Sequence, residues 1–218
     1  MENISPPTLK NYSMEVSARN NMPIIEAKHL RNKENLLRIS DNHPGWYRWW
    51  AKEDAVKTLL DSKQLSKGYF DNLFPHLTEG AGDLKNHYYL YTGIAVKESI
   101  RARLDWHVNQ EHTLSAVKSG FLSTFRQSIS SLVSGDQRNE NDTNLFIDTL
   151  TVEYYADTNQ INANEANIFL RENEDKEMRL NILVLNIMGN KRSEIHDFLK
   201  DLKQARSRAK KRCLEDMQ

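Results

Sequence analysis

A chain of 218 residues, 39% hydrophobic and 28% charged, is long enough for one ordinary folded unit with a real core. No apolar run approaches the roughly 18 residues that a membrane helix needs, and the first twenty residues lack the apolar stretch of a secretory leader. Thirty basic residues balance thirty acidic ones, so net charge announces no polyanion partner, and the single cysteine, Cys213, cannot close an internal disulfide; a cytoplasmic setting is the expectation.

Residues 1–23 are polar, carry Pro6 and Pro7, and read as a flexible arm. Residues 24–39 mix apolar and charged positions and suit a short strand and a helix. Pro44-Gly45 breaks the chain before the aromatic run Trp46-Tyr47-Arg48-Trp49-Trp50. Residues 52–65 predict a helix with Val56, Leu59 and Leu60 on one side, and 66–86, with Gly68, Pro75, Gly80 and Gly82, predict a loop. The run His87-Tyr88-Tyr89-Leu90-Tyr91 is strand-like and ends near Gly93. Residues 97–108 predict a helix that buries Ile100, Leu104 and Val108, and 114–133 another with Val117, Phe121, Phe125 and Ile129 in one stripe. A polar loop is expected over 134–144, a strand within 145–156, a weakly amphipathic helix over 165–180 and a strand or a buried extended segment over 182–188. The last helix, 193–212, turns Ile195, Phe198, Leu199 and Leu202 inward. This is an α/β or α+β pattern with few strands and much helix.

Charge is concentrated at the end of the chain. From Lys191 to Cys213 nine basic residues face three acidic ones, and 203–212 holds six bases with no acid. Such a segment either answers the dipole at a helix C-terminus or contacts phosphates, and Lys203, Arg206, Arg208 and Lys210 are the candidates for the second role. The chain has no Gly-rich phosphate loop with Lys-Ser/Thr, no Gly-x-Ser-x-Gly and no Cys-x-x-Cys, and its histidines lack metal-ligand spacing.

Three features line up in order: Gly45-Trp46-Tyr47 opening one aromatic strand, Tyr91-Thr92-Gly93 closing a second, and a helix with Arg103 and His107 four residues apart on one face. That face is expected at an exposed or cleft-facing edge. The pattern resembles the GIY-YIG endonuclease superfamily, whose two tyrosine motifs lie on neighbouring antiparallel strands, followed by Arg-x-x-x-His, a metal-binding glutamate and an asparagine. PGWYRWWA and the closing LNIMGNKRSEIHDFLKDLKQAR are similar to a bacterial branch of it.

The resemblance covers about residues 43–210 and implies a small antiparallel sheet flanked by helices, a single unit over 24–212. Because 43 residues separate Tyr47 from Tyr91, a helix and loop at about 52–86 would have to be inserted between two strands that still pair. It also implies a hydrolase cutting DNA phosphodiester bonds with Mg²⁺ or Mn²⁺. Tyr47 or Tyr91 would be the general base, Arg103 the phosphate fork, His107 the partner of a tyrosine, Glu177 the metal ligand, and Gly93 and Asn186 supports. Glu165, Glu172 and Glu174 compete with Glu177 for the metal. The alternative is a catalytically silent DNA-binding or interaction module on the same scaffold.

Overall fold

A computed structural model describes residues 22–157 and 163–215. Four strands form one sheet: β1 (Ile24–Glu26), β2 (Gly45–Lys52), β3 (His87–Ala95) and β4 (Thr151–Ala156) lie in the order β1-β4-β2-β3, every pair antiparallel. Nine helices accompany it among the described residues: α1 (Lys33–Leu37), α2 (Glu53–Leu60), α3 (Phe70–Leu73), α4 (Ile100–Asn109), α5 (Leu114–Ser119), α6 (Thr124–Val133), α7 (Glu140–Ile147), α8 (Ala163–Leu180) and α9 (His196–Glu215). This is the mixed α/β architecture expected. The proposed arm falls at 1–21 outside the described residues, while Met22 is buried and the Pro23 carbonyl accepts from Tyr154 N–H.

β2 and β3 pair despite the long segment between them, with Tyr47 opposite Gly93 and Trp49 opposite Tyr91. α2, α3 and two short 3-10 turns (Phe74–His76 and Gly82–Leu84) occupy that insertion. Successive strand residues face opposite sides. Tyr47, Trp49 and Ala51 therefore enter the main core, with Val56 of α2, Leu104 of α4 and Phe125 of α6. Trp46, Arg48 and Trp50 face the other side, where Trp50 and Tyr89 stack at 4.8 Å and pack with Met178 of α8. Both faces are covered, so β2 reads as an aromatic run instead of an apolar–polar alternation. A bulge between Trp49 and Trp50 shifts the register so that Tyr91 joins the inner face and Tyr89 the outer.

Three expectations give way to local backbone chemistry. The single helix over 114–133 is two: Gly120, in the left-handed region at φ 73°, closes α5, and the Ser123 side chain opens α6 by accepting from Arg126 N–H. Phe121 falls in the break and is 67% exposed. The polar loop over 134–144 contains the start of α7, because Asn139 caps it by accepting from Asp142 N–H. Residues 182–187 are buried but form no strand. Instead Leu185 N–H donates to Leu90, and the Asn186 side chain accepts from Thr92 N–H at 2.8 Å and donates to the Thr92 carbonyl at 2.9 Å. An amide side chain thus satisfies the backbone of β3, the last strand of the sheet on that side.

Candidate active site

Both motif glycines mark close approaches. A Cβ at Gly93 would lie 2.3 Å from the Tyr47 hydroxyl oxygen, because the phenol of Tyr47 lies across the β3 backbone there. A Cβ at Gly45 would lie 2.2 Å from the Tyr155 carbonyl oxygen and 2.9 Å from Ile100 Cβ, where α4 starts. So the strand motifs need glycine in order to seat a tyrosine and a helix.

Tyr47, 1% exposed, shares a 2.6 Å hydrogen bond with His107 Nε2. The ring of Tyr91 is 6.2 Å from that of Tyr47 and 6.0 Å from that of His107, and the two phenols act on each other electrostatically. Tyr91 is half-buried over the whole residue, less enclosed than Tyr47. His107 is buried at 2% exposed, against the expected cleft-facing edge: the inner face of the sheet lies over it, and its ring packs on Phe125 at 5.2 Å. His107 Nδ1 lies 3.1 Å from Ser123 Oγ. Arg103, one turn before it, pairs with Glu98 and stands over the Trp106 ring at 4.8 Å. Its buried Nε–H has no acceptor among the described residues.

The electrostatics follow from this crowding. Burial, then the charges of Arg103 and Arg126, hold His107 well below the ordinary imidazole range, so it is neutral. Burial pushes Tyr47 well above the ordinary phenol value. Tyr91 is pushed up to about 12 by burial and then by Glu174, against the influence of Tyr47 and the charges of Arg103 and Arg206. Glu174, half-buried on α8, is raised to about 7 by burial and then by neighbouring Asp175. Among the described residues no hydrogen bond or ion pair engages its carboxylate.

Glu177 has another setting. Its Oε1 accepts from Arg48 Nη2 at 2.9 Å and its Oε2 from Asn181 Nδ2 at 3.0 Å, and Arg48, which also holds Glu153 at 3.1 Å, belongs to the outer face of the sheet. Glu177 is therefore parted from the phenols by the sheet itself. One helical turn earlier Glu174 acts on Tyr47, Tyr91 and Arg103, whereas Glu165 and Glu172 are exposed. Asn186 fastens the β3 backbone between Tyr91 and Gly93.

The four bases expected on one DNA-facing surface diverge. Lys203 lines an open cleft with Lys191, Arg192, His196 and Lys200. Arg206 turns inward, bonds the Gln127 amide oxygen and acts on Tyr91. Arg208 Nη2 donates to the Gln64 carbonyl at 2.6 Å, and Lys210 Nζ to the Lys118 carbonyl at 3.1 Å. Glu174 is one of the four acids the sequence offers for the metal, Arg206 is expected at DNA and not at the phenols, and Ser123 is not singled out from sequence, though it carries a readable signal as a helix-opening serine after Gly120.

An antiparallel sheet with two paired tyrosine strands, crossed by a helix bearing Arg-x-x-x-His, defines a nuclease-type α/β fold. A sequence model of the GIY-YIG catalytic domain matches residues 45–208, that is 164 of 218, and the chain belongs to this family. Comparison with curated proteins and with solved structures finds no match. No helix of the described residues is long and apolar enough to cross a membrane.

Proposed function

We propose that this protein is an endonuclease that hydrolyses DNA phosphodiester bonds with the help of a divalent cation, Mg²⁺ or Mn²⁺. The observation that carries the reading is the meeting of two phenols, a guanidinium and a lone strained carboxylate around one spot: Tyr47, Tyr91, Arg103 and Glu174.

The donor set fits a hydrated hard cation. Among the described residues no three His, Cys, Asp or Glu side chains gather as a cage, and Mg²⁺ keeps several waters and takes one or two carboxylates together with substrate phosphate. Glu174 is such a carboxylate, half-buried and held near neutral proton affinity at about 7, so a cation competes with a proton for it. We therefore assign the metal to Glu174 and give Glu177 the structural role of pairing with Arg48. A divalent cation bound there supplies charge neutralisation at the phosphate and cancels the repulsion that Glu174 exerts on a phenolate.

The chain's own groups do the rest. Arg103 carries a planar guanidinium, now paired with Glu98, whose fork would suit the charge that develops on the phosphorane. One of the two phenols, once it has lost its own proton to solvent, would take the proton of the attacking water as phenolate. His107 does not: buried beside Arg103 and Arg126, it binds a proton weakly, so it holds the Tyr47 hydroxyl in place. The Lys191, Arg192, Lys200 and Lys203 cleft is the surface we assign to the DNA backbone.

Supercoiled plasmid mixed with the purified protein tests this. Nicked and linear DNA should accumulate with Mg²⁺ or Mn²⁺ and not with EDTA, and Arg103→Ala should abolish it. Intact plasmid under both metals, or equal cutting by Arg103→Ala, overturns the proposal.

A further inference from the structure

Ser123 is 1% exposed and opens α6, and its Oγ has two neighbours: it accepts from Arg126 N–H at 3.1 Å and lies 3.1 Å from His107 Nδ1. A serine hydroxyl has one hydrogen to give and two lone pairs. The cap commits one lone pair. The hydrogen needs an acceptor because the site is buried, and among the described residues His107 Nδ1 is the one within reach. If Nδ1 carried the proton and donated to Ser123, the hydroxyl hydrogen would be stranded in the interior. Ser123 therefore donates to Nδ1, and the imidazole, being neutral, keeps its hydrogen on Nε2.

The direction then propagates. His107 Nε2–H donates to the Tyr47 oxygen across 2.6 Å, which frees the hydroxyl hydrogen of Tyr47 for its neighbour Tyr91. We propose that Ser123 is a positioning residue that fixes the tautomer of His107 and so orients a chain of hydrogen bonds, Ser123 to His107 to Tyr47 to Tyr91, ending at Tyr91 as the phenol that gives its own proton to solvent and then, as phenolate, accepts the proton of the attacking water. The opposite tautomer would reverse the arrow: Tyr47 would donate to Nε2 and be left as the acceptor for Tyr91.

Two further features agree with the first direction. Tyr91 is half-buried and Tyr47 is 1% exposed, so the Tyr91 residue is the less enclosed of the two. A negative charge on Tyr91 receives the hydrogen bond of Tyr47 and lies in the field of two guanidiniums, Arg103 and Arg206. The groups that face His107 are Tyr47, Tyr91, Trp49, Arg103, Trp106, Ser123, Phe125 and Arg126, none of them a carboxylate that would make the imidazole cationic. The role given to Tyr91 rests on the nuclease reading; the direction of the chain does not.

The test is therefore read without substrate. Histidine-selective ¹⁵N labelling and two-bond ¹H–¹⁵N correlation report which ring nitrogen of His107 carries hydrogen, with the resonance assigned by its loss in His107→Gln. The expected result is Nε2–H in the parent and in Ser123→Thr, which keeps both cap and donor, and Nδ1–H in Ser123→Asp, which caps the helix but has no hydrogen to give. Nδ1–H in the parent overturns the proposal, and so does an Nδ1 without hydrogen in Ser123→Asp, whose carboxylate holds a proton on Nδ1 in the neutral ring and in the imidazolium alike; the parent spectrum decides alone if that variant does not fold. In the cleavage assay Tyr91→Phe should lower kcat by about 10²–10⁴-fold and Tyr47→Phe by less, with KM little changed. The reverse ranking overturns the assignment of Tyr91. A parent that cuts nothing defeats the nuclease reading while the tautomer result still judges the chain.

Discussion

Glu174→Gln should cost the protein its activity and make it more stable, a pairing that separates a strained metal ligand from a structural carboxylate. The carboxyl rises from an ordinary 4.5 to about 7 in the folded chain, and at about 1.4 kcal/mol per pH unit this is roughly 3 kcal/mol of penalty on the ionised form. Partial exposure trims that to about 1–3 kcal/mol. Below pH 4.5 the group is protonated folded or unfolded, and no penalty exists. As pH climbs from 4.5 through 7 the unfolded chain gives up its proton before the folded one, so metal-free stability falls, and above 7 the whole penalty is felt. Glutamine keeps the shape without the charge. In EDTA at pH 8 the variant should therefore gain about 1–3 kcal/mol, which for a chain of this size is about 3–10 °C in Tm, and at pH 4 it should gain almost nothing. Adding Mg²⁺ should raise the Tm of the parent and leave the variant unmoved. Scanning calorimetry at the two pH values, with and without Mg²⁺, reads all of this. A variant that melts no higher than the parent at pH 8 and still cuts plasmid refutes both the strain and the metal assignment.

Gly93→Ala places a methyl 2.3 Å from the Tyr47 hydroxyl oxygen, so Tyr47 must leave His107; cleavage should fall at least about 10²-fold with only about 1–3 kcal/mol lost in urea unfolding, and a fully active variant would contradict the packing. Asn186→Ala exposes no new surface but strips the partners from Thr92 N–H and C=O, which should cost roughly 2–4 kcal/mol in urea unfolding. Replacing both Lys200 and Lys203 by Gln should lower the salt dependence of DNA affinity by about two phosphate contacts, whereas Arg208→Gln and Lys210→Gln, whose side chains bond the Gln64 and Lys118 carbonyls, should leave that slope nearly unchanged. The reverse order in filter binding across a salt series would place the DNA on the other side of α9.

Periodicity carried much of the fold. The stripes Val56-Leu59-Leu60 and Ile100-Leu104-Val108 are buried as read, since a helix that covers a sheet repeats its apolar face every turn. Two aromatic strands pairing across a long insertion were legible too, because their glycines and tyrosines are demanded by one close contact, Tyr47 over Gly93. Capping chemistry was harder to see. Gly120 and Ser123 split one apolar stripe into two helices, and Asn139 starts α7 in the middle of a polar run, where local hydrogen bonds outweigh hydrophobic pattern. The burial of His107 was out of reach for another reason: it follows from Tyr47, sixty positions away, closing over the ring.

The proposed choice of metal ligand shows where sequence reasoning stops. Glu174 and Glu177 lie three residues apart on α8, so their side chains leave the helix only about 60° from each other. No spacing argument along one chain can separate them. What separates them is the end of the sheet. α8 packs on β3, and β3 is the last strand on that side, its backbone closed by Asn186 and Leu185 instead of a fifth strand. From that position a small rotation decides which face a side chain reaches: Glu177 meets Arg48 on the outer face, where its charge is neutralised, and Glu174 acts on the phenols and Arg103 of the inner face, where its charge is left strained. The same two facts make one carboxylate a structural ion pair and the other the carboxylate we propose as metal ligand. The assignment thus belongs to the tertiary link between helix and sheet edge, and Arg48→Met should confirm it by a split effect: stability lost because Glu177 and Glu153 both lose their guanidinium, by roughly 3–5 kcal/mol, with the Mg²⁺-dependent rise in Tm retained in whatever fraction still folds. Loss of that rise would return the metal to Glu177.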